Sequence, residues 1–346
     1  VKVLVTGGAG FIGSFIVDEL VRRGHEVAVF DNLTEQVHPG GVLPPYLNAH
    51  ARFVRGDVRD YDALRAVVCE AEAIFHKAAA VGVGQSQYEI KRYVDINTGG
   101  TANLLDILVN HPHRTQKLIV AASMSSYGEG MYRCESCEIV RPALRPESQM
   151  ATGDWAPRCP CCQTPVEPMA TSEEARQNSN SIYALTKQDQ EAMTLNIGQT
   201  YGIPTVALRY FNVYGPRQSL SNPYTGVMAI FMSRLLHDRP PVVYEDGLQT
   251  RDFISVHDIV RANMLALERP EANDQTFNVG SGVPITIRGV AEVAATYAGK
   301  DIAPEKIPQR RCAALLRRYV SYPRAVGVCP PNKLRRRDAR DRGLVP

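Results

Sequence analysis

The chain has 346 residues, 44% of them hydrophobic and 22% charged, the balance of a globular protein large enough for one α/β domain and a smaller lobe. No apolar run approaches the ~20 residues that span a bilayer, so no membrane partner is expected. The net charge of +3 is unevenly placed: residues 308–346 hold ten Arg and one Lys against Asp338 and Asp341, which leaves the preceding chain acidic and gives no hint of nucleic-acid binding.

Short apolar runs at Val3–Val5, Glu26–Asp31, Arg52–Arg55, Ala73–Phe75 and Leu118–Ala121 read as strands. They alternate with helical patterns at Phe11–Arg23, Tyr61–Cys69 and Asp95–Val109. This alternation predicts a doubly wound parallel sheet of the Rossmann type. The segment 129–180 breaks the rhythm with Pro, Cys and polar residues and reads as an insertion into a 1–214 domain. A helix at Ser181–Tyr201 and a strand at Thr205–Tyr210 resume it. Residues 215–307 are expected to form a smaller C-terminal lobe, with helices near Val227–Leu236, His257–Leu267 and Ile287–Tyr297. The Arg- and Pro-rich stretch 308–346 departs from everything before it. It is either a basic arm or the product of a shifted reading frame, and the second reading is favoured. The chain opens directly on a strand-like run, so a cytoplasmic address is expected.

Gly7, Gly10 and Gly13 follow the first strand in Thr6-Gly-Gly-Ala-Gly-Phe-Ile-Gly13 and open the first helix. Such a turn lets the backbone approach a pyrophosphate. The free N–H groups of the helix start, near Phe11 and Ile12, then supply partial positive charge. Asp31 lies 21 residues beyond Gly10, at the end of the second strand, where a carboxylate accepts from ribose hydroxyls and repels a 2′-phosphate. The cofactor expected is therefore NAD. Asp57 and Val58, after the third strand, are either an adenine contact or an ordinary turn.

Tyr183 and Lys187 are four apart on a predicted helix and share a face. A nearby ammonium and the cationic nicotinamide would favour the phenolate, making Tyr183 a base at neutral pH. Ser123 ends the strand Leu118–Ala121, at the carboxyl edge where parallel sheets bind ligands, and can relay a proton.

Five of the eight Cys fall between Cys134 and Cys162. Cys134/Cys137 and Cys159/Cys162 form two C-x2-C knuckles separated by 21 residues, the donor set of a structural zinc. Cys161 is a spare or a substitute for Cys162. Free thiols or a disulfide are the alternative. Lying between Ser123 and Tyr183 in sequence, the insertion is expected to rim the substrate pocket.

Taken together, the glycine turn, Ala78-Ala-Ala80, Asn97, Ser123 with Tyr127-Gly128, Tyr183/Lys187, Arg209-Tyr-Phe-Asn-Val-Tyr-Gly-Pro216, Arg251-Asp-Phe253 and Asn278-Val-Gly280 resemble the extended short-chain dehydrogenase/reductase family of NAD-dependent nucleotide-sugar epimerases and dehydratases. The resemblance runs from residue 1 to about residue 300. It implies that Ala78 and Asn97 join the cofactor site with Tyr183 and Lys187. It also implies that Ser125, Asn212 and Arg251 hold a nucleotide-diphosphate sugar, and that the protein is a homodimer. Family dehydratases carry Thr-Asp-Glu where this chain has Ser123-Met124-Ser125. Met124 can be neither acid nor base, so a 4-epimerase on a UDP- or dTDP-hexose is expected. A 4-reductase, a 2-epimerase and a non-catalytic NAD-binding interaction protein with a structural zinc are the alternatives.

Overall fold

The computed structural model describes residues 1–219, 226–300 and 304–306. In chain order the first half contains β1 (Lys2–Thr6), α1 (Phe11–Arg22), β2 (Glu26–Asp31), β3 (Arg52–Arg55), α2 (Tyr61–Val68) and β4 (Ala73–His76). Short helices α3 (Val83–Ser86) and α4 (Ile90–Tyr93) follow, then a π-turn at Val94–Gly99 that runs into α5 (Gly100–Asn110), and β5 (Lys117–Ser123). The insertion contributes β6 (Met131–Cys134), β7 (Glu138–Val140), α6 (Glu147–Ala151) and β8 (Glu167–Met169). After it come α7 (Ile182–Tyr201), β9 (Thr205–Tyr210), β10 (Asn212–Tyr214), α8 (Val227–Leu236), β11 (Val242–Val243), β12 (Thr250–Ser255), α9 (Val256–Glu268), β13 (Gln275–Val279), β14 (Pro284–Thr286) and α10 (Ile287–Tyr297).

Seven strands form one parallel sheet in the order β13-β9-β5-β4-β1-β2-β3. Strand order reverses between β1 and β4, which opens a crevice at the carboxyl edge. α1 and α9 cover one face, over Val3, Val5, Phe75 and Leu208. The helices α2, α5 and α7 cover the other, over Leu4, Ile74 and Leu118. Central strands are apolar on both faces because both are covered; β5 is buried throughout its length.

The C-terminal part differs from the expected division at residue 214. Among the described residues, β10-β12-β14, β11 paired in parallel with the short strand Glu305–Lys306, α8 and α10 build the small lobe, around Phe231, Leu235 and Val290. The helix α9 and the edge strand β13 return to the large sheet. Gln275-Thr-Phe-Asn-Val279 has no continuous apolar run because an edge strand is only half covered, which is why its sequence did not stand out. The insertion forms an antiparallel sheet, β7-β6-β8, around Tyr132, Cys134, Val140, Cys159 and Val166. The stretch 308–346 lies outside the described residues. Among those described, no helix is long and apolar enough to cross a membrane.

Candidate active site

A cavity of about 450 Å³ lies along the crevice, walled by the glycine turn, the ends of β2, β4 and β5, the start of α7, and the lobe at β10, α8 and β12. Gly7 adopts φ +68, and a Cβ there would stand 2.7 Å from the Ala78 backbone nitrogen. A Cβ on Gly13 would stand 2.2 Å from the Gly7 carbonyl oxygen. Only glycine lets α1 start against the turn this closely. Gly10 precedes α1 with no side chain capping the helix, so the amides at Phe11 and Ile12 begin it beside the cavity. That is an anion-binding geometry.

Asp31 borders the same cavity, and both its oxygens are oriented by backbone donors, from Ala9 at 3.1 Å and Leu33 at 2.9 Å. Asp57 and Val58 are in the wall too. The Asp57 carboxylate accepts from Arg59 and from Asn32, and these bonds, Arg59's first, hold it down at about 2. Its side chain thus works within the turn. Asn97 stands behind the wall. Fully buried, it accepts from the Ala80 amide at 2.7 Å and donates to the Ala80 carbonyl and the Thr186 hydroxyl. With its polar groups used in this way, the side chain ties the Ala78–Ala80 wall to α7.

Tyr183 and Lys187 do share a face of α7. Ser181 caps that helix through its hydroxyl, accepting from Ala184 at 3.1 Å, and the Tyr183 amide donates to Ser86 at 3.0 Å. Ser123 ends β5, where its hydroxyl accepts from the amide and hydroxyl of Ser125 at 3.2 and 2.9 Å. Burial pushes the Tyr183 phenol up to about 12, and its hydrogen bond with Ser123 pulls only partly the other way. Lys187 donates to the Ala121 carbonyl at 2.9 Å, and burial lowers its amine to about 7. The expected drift of Tyr183 towards phenolate is therefore reversed by desolvation in the protein alone.

On the lobe side, β10 and β12 run parallel and place Asn212 and Arg251 in the cavity wall. The Asn212 amide oxygen is buried without a hydrogen-bond partner among the described residues. An orphaned buried polar atom beside a cavity marks a ligand-facing group. Arg251 donates to the Thr250 carbonyl at 2.6 Å and forms no ion pair among the described residues. Burial lowers its pKa, while Glu129, Tyr132 and Glu245 act in the opposite sense and Arg145 adds to the lowering. Ser125 and Met124 also border the cavity.

Three features escaped the sequence reading. Lys77 sits in the wall with its amine donating to the Tyr210 hydroxyl at 3.0 Å, and burial and the charge of Lys187 push it well down. His38 and Thr34 line the cavity beyond Asp31, while Gln218 and Met228 close it from the lobe. None belongs to a spaced motif; strand alternation alone would have made Lys77 an improbable core residue.

The insertion contributes no residue to the cavity wall, contrary to the expected rim. Its four cysteines converge: the sulfurs of Cys134, Cys137, Cys159 and Cys162 all lie within 4.8 Å of one another. Cys161 is exposed and outside the cluster, so Cys162 is the fourth member. Cys134 and Cys162 are 3.5 Å apart, too far for a disulfide. The Thr164 hydroxyl and amide hold the Cys162 thiol down to about 6.

The chain is similar to known proteins. The dTDP-L-rhamnose 4-epimerase of Burkholderia thailandensis is 37% identical over 309 residues, covering 88% of this chain and 82% of the relative. A putative UDP-glucose 4-epimerase of Methanocaldococcus jannaschii is 31% identical, over 84% and 80% of the two chains. Among solved structures, Thermotoga maritima UDP-glucose 4-epimerase with UDP-glucose has a TM-score of 0.72 at 28% identity, with 89% and 86% covered. The Thermus thermophilus UDP-glucose 4-epimerase complex with NAD has a TM-score of 0.68 at 29% identity, with 100% of both chains covered. Residues 3–280 match the model of the NAD dependent epimerase/dehydratase family, and the chain belongs to that family.

Proposed function

We propose that the protein is a nucleotide-sugar 4-epimerase that uses tightly bound NAD and acts on a UDP- or dTDP-hexose. The observation that carries this reading is the meeting of Ser123, Tyr183 and Lys187 in one cavity with the glycine turn and Asp31. The named relatives support it. The free amides of α1 and the oriented Asp31 carboxylate fit a dinucleotide diphosphate and ribose. NAD, when bound, supplies the acceptor and donor of the sugar C4 hydride.

The residues divide the remaining work. As the phenolate that a cationic nicotinamide bound beside it would favour, Tyr183 would take the proton of the sugar 4-hydroxyl as that carbon is oxidised, and return it when the carbon is reduced on its other face. Ser123 holds the reacting oxygen and shares the proton through its hydrogen bond with Tyr183. Lys187, on the same face of α7, would donate to the cofactor ribose and, in its protonated form, would bring positive charge beside the phenol. Asn212 and Arg251 hold the substrate diphosphate, with Ser125 near the sugar. Met124 occupies the wall where a 4,6-dehydratase would need an acid, and this favours epimerisation over dehydration.

The four-cysteine cluster fits a structural zinc, because four thiolates close a tetrahedral shell and leave no open position. A homodimer is the assembly that the family resemblance implies. Incubating the protein with a panel of UDP- and dTDP-hexoses and resolving the products tests the function. An equilibrium of 4-epimers with no net NADH consumption is expected. Net NADH oxidation would make the protein a reductase, inversion at C2 a 2-epimerase, and no conversion of any member would favour a binding protein.

A further inference from the structure

We propose that Gln177, in the strap by which the insertion returns to α7, is a positioning residue: it holds the turn that carries Ser123 against the face of α7 that carries Tyr183 and Lys187. The inference rests on the reading of Ser123 and Tyr183 as the pair that handles the proton. It gives the insertion a task in the reaction from behind the cavity wall, to which neither Gln177 nor its two partners contribute.

Ser123 is followed by a single 3-10 turn, Met124–Tyr127, and a turn this short has few bonds of its own. Within it the Ser126 hydroxyl donates to the Ser123 carbonyl at 2.9 Å. Its one proton is then used, and its lone pairs are left to accept. The Gln177 side-chain amide donates one hydrogen to that hydroxyl at 3.2 Å and the other to the Glu191 carboxylate at 3.0 Å. Glu191 is anchored in turn: Arg209 of β9 bonds its two oxygens at 2.9 and 2.5 Å, with both side chains 7% exposed. A carboxylate so paired only accepts, which places the amide nitrogen of Gln177, and not its oxygen, between the two partners. Glu191 follows Lys187 by four residues and Tyr183 by eight, so the three share one stripe of α7. Gln177 thus bridges the serine turn to that stripe. The backbone joins strap and turn independently of the side chain. The Asn178 amide donates to the Ser126 carbonyl at 2.8 Å, and a Cβ on Gly128 would stand 2.4 Å from the Asn178 carbonyl oxygen.

A proton passes between Ser123 and Tyr183 only while their oxygens stay in hydrogen-bond reach, and a misplacement of about 1 Å costs such a step on the order of 10²-fold. Gln177→Leu keeps the size of the side chain and removes both halves of the bridge. The backbone contacts of Asn178 remain, so the strap keeps its place. Ser126→Ala breaks the same bridge from the turn side.

The test follows the Tyr183 phenol by carbon-13 NMR of ring-labelled tyrosine in the NAD-loaded full-length protein, with the signal assigned by Tyr183→Phe. The hydrogen bond with Ser123 favours the phenolate, so its loss raises the titration midpoint. The other ionisable groups at the phenol, Lys187 on its own helix and Tyr93 edge-on with ring centres 6.3 Å apart, are present in every variant. Ser123→Ala should raise the midpoint by about one pH unit, the order of effect of a hydrogen bond to a charged group. Gln177→Leu should raise it comparably, and Ser126→Ala in the same direction. Added to Ser123→Ala, Gln177→Leu should raise it no further, and melting temperature and NAD affinity should stay near wild type. With UDP-glucose and dTDP-L-rhamnose, Gln177→Leu should lower kcat about ten- to hundredfold and leave KM within about twofold. A phenol unmoved by Gln177→Leu, or an effect of Gln177→Leu that persists in Ser123→Ala protein, would overturn the proposal. A phenol unmoved by Ser123→Ala would sink the proton-pair reading and the proposal with it. Midpoints that rise as expected in a protein that converts neither sugar would support the bridge and count against the epimerase reading alone.

Discussion

Replacing Lys187 by Met should make the cofactor-free protein more stable and nearly inactive. The Lys187 amine is buried, has a carbonyl and no carboxylate as its bonded partner, and is lowered from 10.5 to about 7. Keeping that amine in the native state costs on the order of 4 kcal/mol at pH 7, from a shift of about 3.5 units at about 1.36 kcal/mol each, slightly reduced because the native amine is about half protonated there. Met removes the penalty with little change in shape, but it orphans the Ala121 carbonyl at a cost of about 1–3 kcal/mol. A net gain of about 2 kcal/mol remains. The pH dependence identifies the cause. Between pH 7 and 10.5 the unfolded chain holds the Lys187 proton and the native chain does not, so wild-type stability from this group rises with pH across that window. The advantage of Lys187→Met should therefore be full at or below pH 7 and shrink towards pH 10. Lys77 is lowered chiefly by the same desolvation, present in both proteins; the part of its lowering that comes from the Lys187 charge is relieved in the variant and adds to its advantage. Thermal or urea unfolding of both proteins at pH 6, 7, 8 and 9 measures the difference, and product formation should fall by about 10²–10⁴-fold in the variant. A variant less stable at pH 7, or one whose advantage grows with pH, would refute the account of Lys187 as a desolvated amine.

Other perturbations probe the rest of the site. Asp31→Ala should weaken NAD binding by about tenfold and narrow the discrimination against NADP, because the ribose loses its acceptor and the 2′-phosphate its repeller; unchanged titrations with both cofactors would remove Asp31 from the ribose. Gly13→Ala drives a Cβ to 2.2 Å from the Gly7 carbonyl oxygen, so both melting temperature and NAD affinity should drop. Elemental analysis of protein purified without added metal should find about one zinc per chain. Cys134→Ser should lose it and loosen the insertion while the NAD domain stays folded, and an ordered, metal-free wild-type insertion would reject the zinc site.

The local sequence determined every element whose environment is simple. β1, β2 and β5 are buried on both faces, so they are continuous apolar runs and can be read without a partner in view. The glycine turn, Tyr183/Lys187 and the two cysteine knuckles are legible for a related reason, since each is a short-range spacing that backbone geometry converts directly into a constellation. The tertiary structure decided what depends on distant neighbours. It returned α9 and β13 to the large sheet, because an edge strand covered on one side carries too weak a pattern to announce itself. It moved Asn97 behind the cavity wall by engaging its amide with Ala80 and Thr186. It chose Cys162 over Cys161, since only the packing around Cys134 and Cys159 decides which of two adjacent thiols turns inward. Burial, which no spacing encodes, raises the Tyr183 phenol in the cofactor-free protein. Burial also brought Arg145 onto Glu245, partners 100 residues apart.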